Sequence, residues 1–170
     1  VAIICETGDV YSYEVIRKES EYLARQVRPD RCLVFNLCRN SIGSLIGYVA
    51  FLNHRIVPLL LDSNLDRGQL LALINNYKPD YLWLPSEMSN EFTYEKVYTV
   101  LGYALVKTPF TKTFPLFPDL ALLLTTSGST GSPKLVRQSY ENIEVNAASI
   151  VQYLEIDATE RPITTLPMSY

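Results

Sequence analysis

Between Cys32 and Leu84, three short apolar runs alternate with two segments of helical period, and the connections are only a few residues long. The runs are Cys32–Leu37, Ile56–Leu61 and Tyr81–Leu84. Each reads as a buried strand. Ser41 is placed to cap the first helix, with Ile42, Leu45, Ile46 and Val49 turned inward. Asn64 or Asp66 opens the second, with Leu70, Leu73, Ile74 and Tyr77 inward and Pro79 ending it. Strand–helix–strand–helix–strand with short links predicts an α/β fold, a mostly parallel sheet with helices on both faces. Pro58 lies inside the second run and argues for an edge strand or a first pairing position, because it has no N–H for a ladder. Gly43 and Gly47 fall on one helix face and admit a close neighbour. They read as packing within the domain rather than as an oligomer seam.

The flanking segments extend this pattern. Ser12 caps a helix with Tyr13, Ile16, Leu23, Ala24 and Val27 on one face, closed by Pro29. Residues 98–101 and 103–106 flank Gly102 as a bent strand or a hairpin. Residues 108–119 hold Pro109, Pro115 and Pro118 with Phe110, Phe114 and Phe117, an extended connector expected to lie on an apolar surface. Residues 120–126 read as a strand, and residues 134–138 resume in extended form. Ser139 caps a helix with Ile143, Ala147, Ile150, Val151 and Leu154 at helical spacing. Residues 163–166 are predicted as a last strand. No internal repeat is evident.

Composition narrows the function classes. The 170 residues suffice for one domain. Hydrophobic residues make up 48%, which excludes a disordered chain. Charged residues make up only 19%, so the surface is expected to have more protein against it. A net charge of −3 with no basic run argues against nucleic acid and against an anionic membrane as partners. Cys5, Cys32 and Cys38 are an odd set without C-x-x-C spacing, which disfavours a disulfide framework or a zinc site and suggests a reducing, cytoplasmic setting. His54, the one histidine, reads as a helix C-terminal-turn residue. Acidic Glu6 and Asp9 follow the first apolar residues at once, unlike a signal peptide. The most apolar stretch, 42–61, is broken by Asn53-His54-Arg55 and fails as a membrane span. The start at Val1 and the stop at Tyr170, directly after a strand-like run, are expected to be cut ends.

The chemistry concentrates in Thr126-Ser127-Gly128-Ser129-Thr130-Gly131-Ser132-Pro133-Lys134. The glycines let successive backbone N–H groups face one anion, because no Cβ blocks the approach. The hydroxyls add donors, Lys134 adds a mobile positive charge, and Pro133 stiffens the exit. Together they predict a polyphosphate cradle. The spacing fails the Walker A pattern, since the lysine follows Pro133 and precedes Leu135. It also fails the dinucleotide fingerprint, since Ser129 and Thr130 both separate the glycines.

Residues 124–134 closely resemble the signature loop of the adenylate-forming enzymes: acyl-CoA synthetases, luciferases and the adenylation domains of nonribosomal peptide synthetases. The family loop reads T-[ST]-G-[ST]-T-G-x-P-K, and every fixed position is filled; Leu135 replaces the family glycine after the lysine. Residues 30–41, the strand 56–62 and Pro167-Met168-Ser169-Tyr170 resemble other family segments at lower specificity. The resemblance implies that a carboxylate attacks the α-phosphorus of Mg-ATP, leaving an acyl-adenylate and pyrophosphate. A thiol of CoA or of a carrier-protein phosphopantetheine then takes the acyl group. It further implies that Thr126, Ser127, Gly128, Ser129, Thr130 and Gly131 bind the phosphates, that Lys134 neutralises the departing pyrophosphate, and that Tyr170 lies at the α-phosphate and acyl pocket.

On that resemblance, residues 1–170 are a single α/β domain fragment, the incomplete N-terminal domain. The adenine pocket, the magnesium-binding residue and the C-terminal domain with its lysine would all lie downstream, and the isolated fragment is expected to be inactive. An acyl acid is favoured over an amino acid, because residues 137–142 lack the His-x-[AG]-L character of peptide synthetase domains. Two alternatives stay open. One is a non-catalytic relative that binds nucleotide or acyl-adenylate. The other is an assembly module that self-associates through an exposed sheet edge.

Overall fold

The computed structural model describes residues 1–110, 114–125 and 134–169. Ser12 caps the first helix, α1 (Tyr13–Gln26), its hydroxyl accepting the Val15 N–H. Strand β3 (Leu33–Cys38) follows, then α2 (Ile42–Asn53), β4 (Val57–Asp62), α3 (Arg67–Tyr77) and β5 (Tyr81–Pro85). Before α1, β1 (Ile3–Ile4) and β2 (Val10–Tyr11) form a small antiparallel pair. A 3₁₀ turn at Ser86–Glu91 leads from β5 into a hairpin of β6 (Glu95–Val100) and β7 (Tyr103–Lys107). The hairpin turn puts Leu101 and Gly102 at φ +48° and +77°, the left-handed pair that a two-residue turn between twisted strands requires. The chain ends in β8 (Leu120–Thr125), β9 (Leu135–Ser139) and α4 (Tyr140–Tyr153).

The main sheet runs β6-β7-β5-β3-β4-β8-β9. Its centre, β5-β3-β4-β8, is parallel. β7 and β9 add antiparallel strands at its two sides, and β6 pairs antiparallel with β7. Period-two alternation divides the core. Leu33, Phe35 and Leu37 face Leu70, Leu73 and Ile74 of α3. Val34 and Trp83 face the other way, toward Ile16 and Leu23 of α1 and Ile46, Ala50 and Phe51 of α2. Helices therefore cover both faces, as the strand–helix alternation predicted.

The glycine pair of α2 has a definite neighbour. A Cβ on Gly47 would stand 2.3 Å from Trp83 Cδ1, and one on Gly43 would stand 2.5 Å from Tyr103 Cδ2. The Trp83 indole N–H donates to the Gly43 carbonyl at 3.0 Å. The glycines thus seat α2 on the sheet inside the domain.

Of the two positions Pro58 left open, the first pairing position is the one found, although the strand itself is central and Pro58 is paired with Val34 of β3. The neighbouring Val57 N–H points to β3, bonding the Cys32 carbonyl, so alternation turns the Pro58 nitrogen toward β8. Pairing with β8 begins only at Leu59, so the missing N–H falls at the start of that ladder. Several expectations are corrected. Residues 163–166 form no strand; Ile163 and Leu166 are exposed, and no neighbouring strand offers them a ladder among the described residues. In the 108–119 connector, Phe110 and Leu116 pack on the α3-side core, but Phe114 and Phe117 are exposed. Tyr13, placed on the inward face of α1 by spacing, is also exposed. Helix α4 forms where expected, with a capping box between Ser139 and Asn142, yet none of its residues is buried.

Candidate functional site

The topology itself marks one edge of the sheet. The helix after β3, α2, lies on one face, and the helix after β4, α3, lies on the other. The chain departs from β3 toward β4 and then crosses back to β5 on the far side. Between the carboxyl ends of β3 and β4 the sheet therefore has a topological switch point, where open α/β sheets bind their ligands.

A cavity of about 230 Å³ opens there, lined by Cys38, Arg39 and Asn40 from the end of β3 and Asp62, Ser63 and Asn64 from the end of β4, with Pro167 closing one side. Its polar groups are already organised. The Ser63 N–H bonds the Cys38 carbonyl at 3.1 Å, tying the two strand ends together. The Asn64 N–H bonds Asp62 Oδ1 at 2.8 Å, an Asx turn that leads into α3. Arg39 donates from Nε to Ser63 Oγ at 3.2 Å and from Nη1 to Glu87. The Glu87 backbone N–H and then the Arg39 guanidinium hold the Glu87 carboxyl below its ordinary range. Behind the cavity, the Tyr103 hydroxyl accepts the Arg39 N–H at 3.1 Å and donates to the Leu37 carbonyl at 2.9 Å. Burial, the largest influence on this phenol, raises its pKa. Burial likewise pushes the Cys38 thiol up to about 11, which makes it a packing group rather than a nucleophile.

Asn40 reaches furthest. Its Nδ2 donates to the Leu166 carbonyl at 3.0 Å, and its Oδ1 accepts the Met168 N–H at 3.1 Å. The side-chain amide thus bridges the backbone on both sides of Pro167.

The signature loop enters and leaves at this same edge. Strand β8 ends at Thr125 and β9 begins at Leu135, and these two residues are register partners. β8 lies beside β4, so both ends of the 126–134 span sit at the carboxyl edge of the parallel core. Lys134 is exposed immediately before β9. Thr126, Ser127, Gly128, Ser129, Thr130 and Gly131 lie outside the described residues, as does Tyr170. Sequence reasoning pointed to Pro167 and to Lys134 but missed Arg39 and Asn40 as site residues. Asn40 directly precedes a helix cap, so its pattern is that of an ordinary turn.

Among the described residues, no three His, Cys, Asp or Glu side chains converge to hold a metal ion. No helix among them is long and apolar enough to cross a membrane.

Comparison with known proteins agrees with the loop. A family model described as AMP-binding enzyme matches residues 1–170. Over 129 residues the chain is 24% identical to the nonribosomal peptide synthetase kk1B of Curvularia clavata, covering 72% of this chain and 1% of that protein. Among solved structures, apo MatB from Rhodopseudomonas palustris superposes with a TM-score of 0.80 at 20% identity, covering 99% of this chain and 37% of its own. The O-succinylbenzoate coenzyme A synthetase MenE from Bacillus subtilis, in complex with ATP and magnesium ion, gives a TM-score of 0.68 at 20% identity, covering 95% of this chain and 46% of its own. The chain thus spans less than half the length of either structure.

Proposed function

The chain belongs to the AMP-binding enzyme family, and from that premise we propose that it is the N-terminal part of an ATP-dependent ligase that activates a carboxylic acid as its adenylate. The observation that carries this reading is where the strands on either side of residues 126–134 end and begin, at the register partners Thr125 and Leu135. Both ends of that span are fixed at the carboxyl edge of the parallel strands, next to the switch-point cavity. The fold shared with MatB and MenE supports it, and MenE has been solved both with ATP and magnesium ion and with the acyl-adenylate OSB-AMP.

In the first half-reaction a carboxylate oxygen attacks the α-phosphorus of ATP. The bond from that phosphorus to the bridging oxygen breaks, and pyrophosphate leaves. Charge builds on the leaving group, and stabilising it requires donors held in place beforehand. Backbone N–H groups at Gly128 and Gly131, the hydroxyls of Thr126, Ser127, Ser129 and Thr130, and the Lys134 ammonium supply such donors. Tyr170, two residues beyond Met168, is assigned to the α-phosphate and the acyl pocket. Magnesium would arrive on the nucleotide phosphates and offset their charge; its protein ligand is assigned to residues beyond this chain. In the second half-reaction a thiol of CoA or of a phosphopantetheinyl carrier protein attacks the acyl carbon, and AMP leaves. Residues 1–170 by themselves are expected not to turn over. Near the end of α4, Ile150, Val151 and the cap residue Leu154 share one exposed apolar face, which fits a surface that more chain would cover.

The test is carboxylate-dependent ATP–pyrophosphate exchange on the complete polypeptide carrying this chain, with fatty, aryl and amino acids. Exchange with one acid class, lowered about 100-fold or more by Lys134→Ala, supports the reading, since removing one pre-organised donor typically costs that much. Mg-ATP binding without exchange for any acid would replace it with a non-catalytic nucleotide binder.

A further inference from the structure

We propose that residues 157–168 form a strap that opens independently of the sheet, with Asn40 as its latch, and that its opening uncovers the cavity at the ends of β3 and β4. Residues 157–167 are all exposed, and none of them lies in a helix or strand. Their own side-chain hydrogen bonds are local. The Thr159 N–H and hydroxyl both donate to Asp157 Oδ1, and the Arg161 guanidinium donates to the Ala158 and Glu160 carbonyls. Such bonds shape a turn without tying it to the sheet. No described residue of the strap joins either apolar cluster of the core. Among the described residues, the hydrogen bonds that join the strap to the rest of the fold are the two made by the Asn40 amide, to the Leu166 carbonyl and from the Met168 N–H.

The two partners of this contact are held very differently. Asn40 sits between the buried strand β3 and the Ser41 cap of α2, so its base stays with the sheet. The cavity walls are equally fixed. Ser63 is 6% exposed, and its N–H bonds the Cys38 carbonyl across the strand ends. On the strap side, Pro167 lines the cavity but has no N–H with which to add a third bond. A segment with exposed backbone and no buried apolar contact belongs to the low-stability end of local opening. When the two Asn40 bonds break, Pro167 leaves the cavity and the walls remain.

Hydrogen exchange and thiol labelling of the complete polypeptide test this, and neither depends on turnover. In the unsubstituted protein the Met168 amide should exchange about 10-fold or more faster than the Ser63 amide, because local opening frees only the first. Loss of the Met168 bond in Asn40→Ala would by itself speed that amide, so the latch is read at the cavity instead. Ser63→Cys places a thiol on the wall. Its modification rate should rise about 5- to 150-fold when Asn40→Ala is added, the scale of two net hydrogen bonds, with the thermal midpoint little changed. Cys38 lines the same cavity and gives the comparison again with Ser63 left in place. Equal exchange at Met168 and Ser63 would overturn the proposal, since the segment would then open only with the sheet. So would unchanged labelling of both thiols, or faster labelling accompanied by a fall in the midpoint, which would make Asn40 a stability residue only.

Discussion

The Asp80 carboxylate receives the Arg28 guanidinium at 3.0 Å on one oxygen while its other oxygen accepts the Leu33 N–H, also at 3.0 Å. One side chain at the start of β5 thus terminates the hydrogen-bond ladder of β3 and neutralises a cation from the α1–β3 connection. Asp80 is only 7% exposed. Burial holds its pKa above the ordinary 3.8, against the downward pull of the Leu33 N–H and Arg28. A folded-state pKa above the unfolded one stabilises the fold fully below the unfolded value, and that contribution is lost as pH rises through the folded value. Asp80→Asn keeps an acceptor for Leu33 and has no charge to desolvate, whereas Asp80→Ala orphans the buried N–H and should cost about 1–3 kcal/mol. Urea unfolding of the native protein and Asp80→Asn, from neutral pH downward, should show their difference moving in favour of the native protein. Movement the other way would mean that the ion pair outweighs burial.

Glu87 should behave with the opposite sign. Its folded pKa lies below the ordinary 4.5, so its contribution is present above that value and disappears as pH falls through the folded one. The same titration on Glu87→Gln should therefore show the native protein losing its advantage in acid. A pH-independent difference would show that neither the Glu87 backbone N–H bond nor the Arg39 contact persists in solution.

The contact between Gly47 and Trp83 admits no added atom. Gly47→Ala places a methyl 2.3 Å from the Trp83 ring, in a tryptophan that is fully buried and bonded to the Gly43 carbonyl. Helix propensity alone would make the change favourable by about 0.5–1 kcal/mol. Overpacking costs about 1–3 kcal/mol and should win, because ring and backbone are both fixed. Chemical denaturation should show a net loss and a shift in tryptophan fluorescence; Trp83 is the one tryptophan, so the signal is unambiguous.

The parallel core was legible because each of its strands is a short apolar run and each crossover helix has a cap and a stop. Ser41 caps α2 as expected, Asp66 rather than Asn64 caps α3, and Lys78, before Pro79, closes α3 in the left-handed conformation. At Gly102 the local signal left a bent strand and a hairpin open, and the antiparallel pairing of β6 with β7 decides for the hairpin. Strand order was not legible, since nothing local shows that β5 pairs with β3 rather than with β4. Pro58 left a strand edge and a first pairing position both open, because an absent N–H fits either, and the start of the β8 ladder at Leu59 decides for the second. Residues 163–166 misled because β-branched residues suggest a strand even where no partner strand exists. At the site, the loop composition was readable and the bridge from Asn40 to the Leu166–Met168 backbone was not. Hydrogen bonds across more than 120 residues leave no mark on local pattern.

Thiol reactivity follows from burial. Desolvation pushes Cys32 up to about 12 and Cys38 up to about 11, and both are buried. Cys5 is only half-buried. A thiolate-directed reagent applied to the native protein at neutral pH should modify Cys5 first and leave the other two until unfolding. Mass spectrometry of the early product locates the label. Early labelling of Cys38 would show that the end of β3 opens readily, which the ordered cavity there does not allow.

The sharpest stability prediction concerns Asn36. It sits in the middle of β3 with Leu60 and Trp83 as register partners, and it is fully buried. Neither its amide nitrogen nor its amide oxygen has a hydrogen-bond partner among the described residues. A buried amide without partners carries its desolvation penalty uncompensated, about 1–3 kcal/mol. Leucine has a similar shape and no such penalty. Asn36→Leu should therefore raise stability by about 1 kcal/mol or more, once slight overpacking is set against the removed penalty. Asn36→Asp should be strongly destabilising at neutral pH, since it buries a charge without a partner. Thermal and urea unfolding of the native protein and of Asn36→Leu, Asn36→Asp and Asn36→Ala decide the matter. If Asn36→Leu instead destabilises by more than Asn36→Ala, the amide is held by ordered water or by a further segment of protein, and its polarity belongs to that contact.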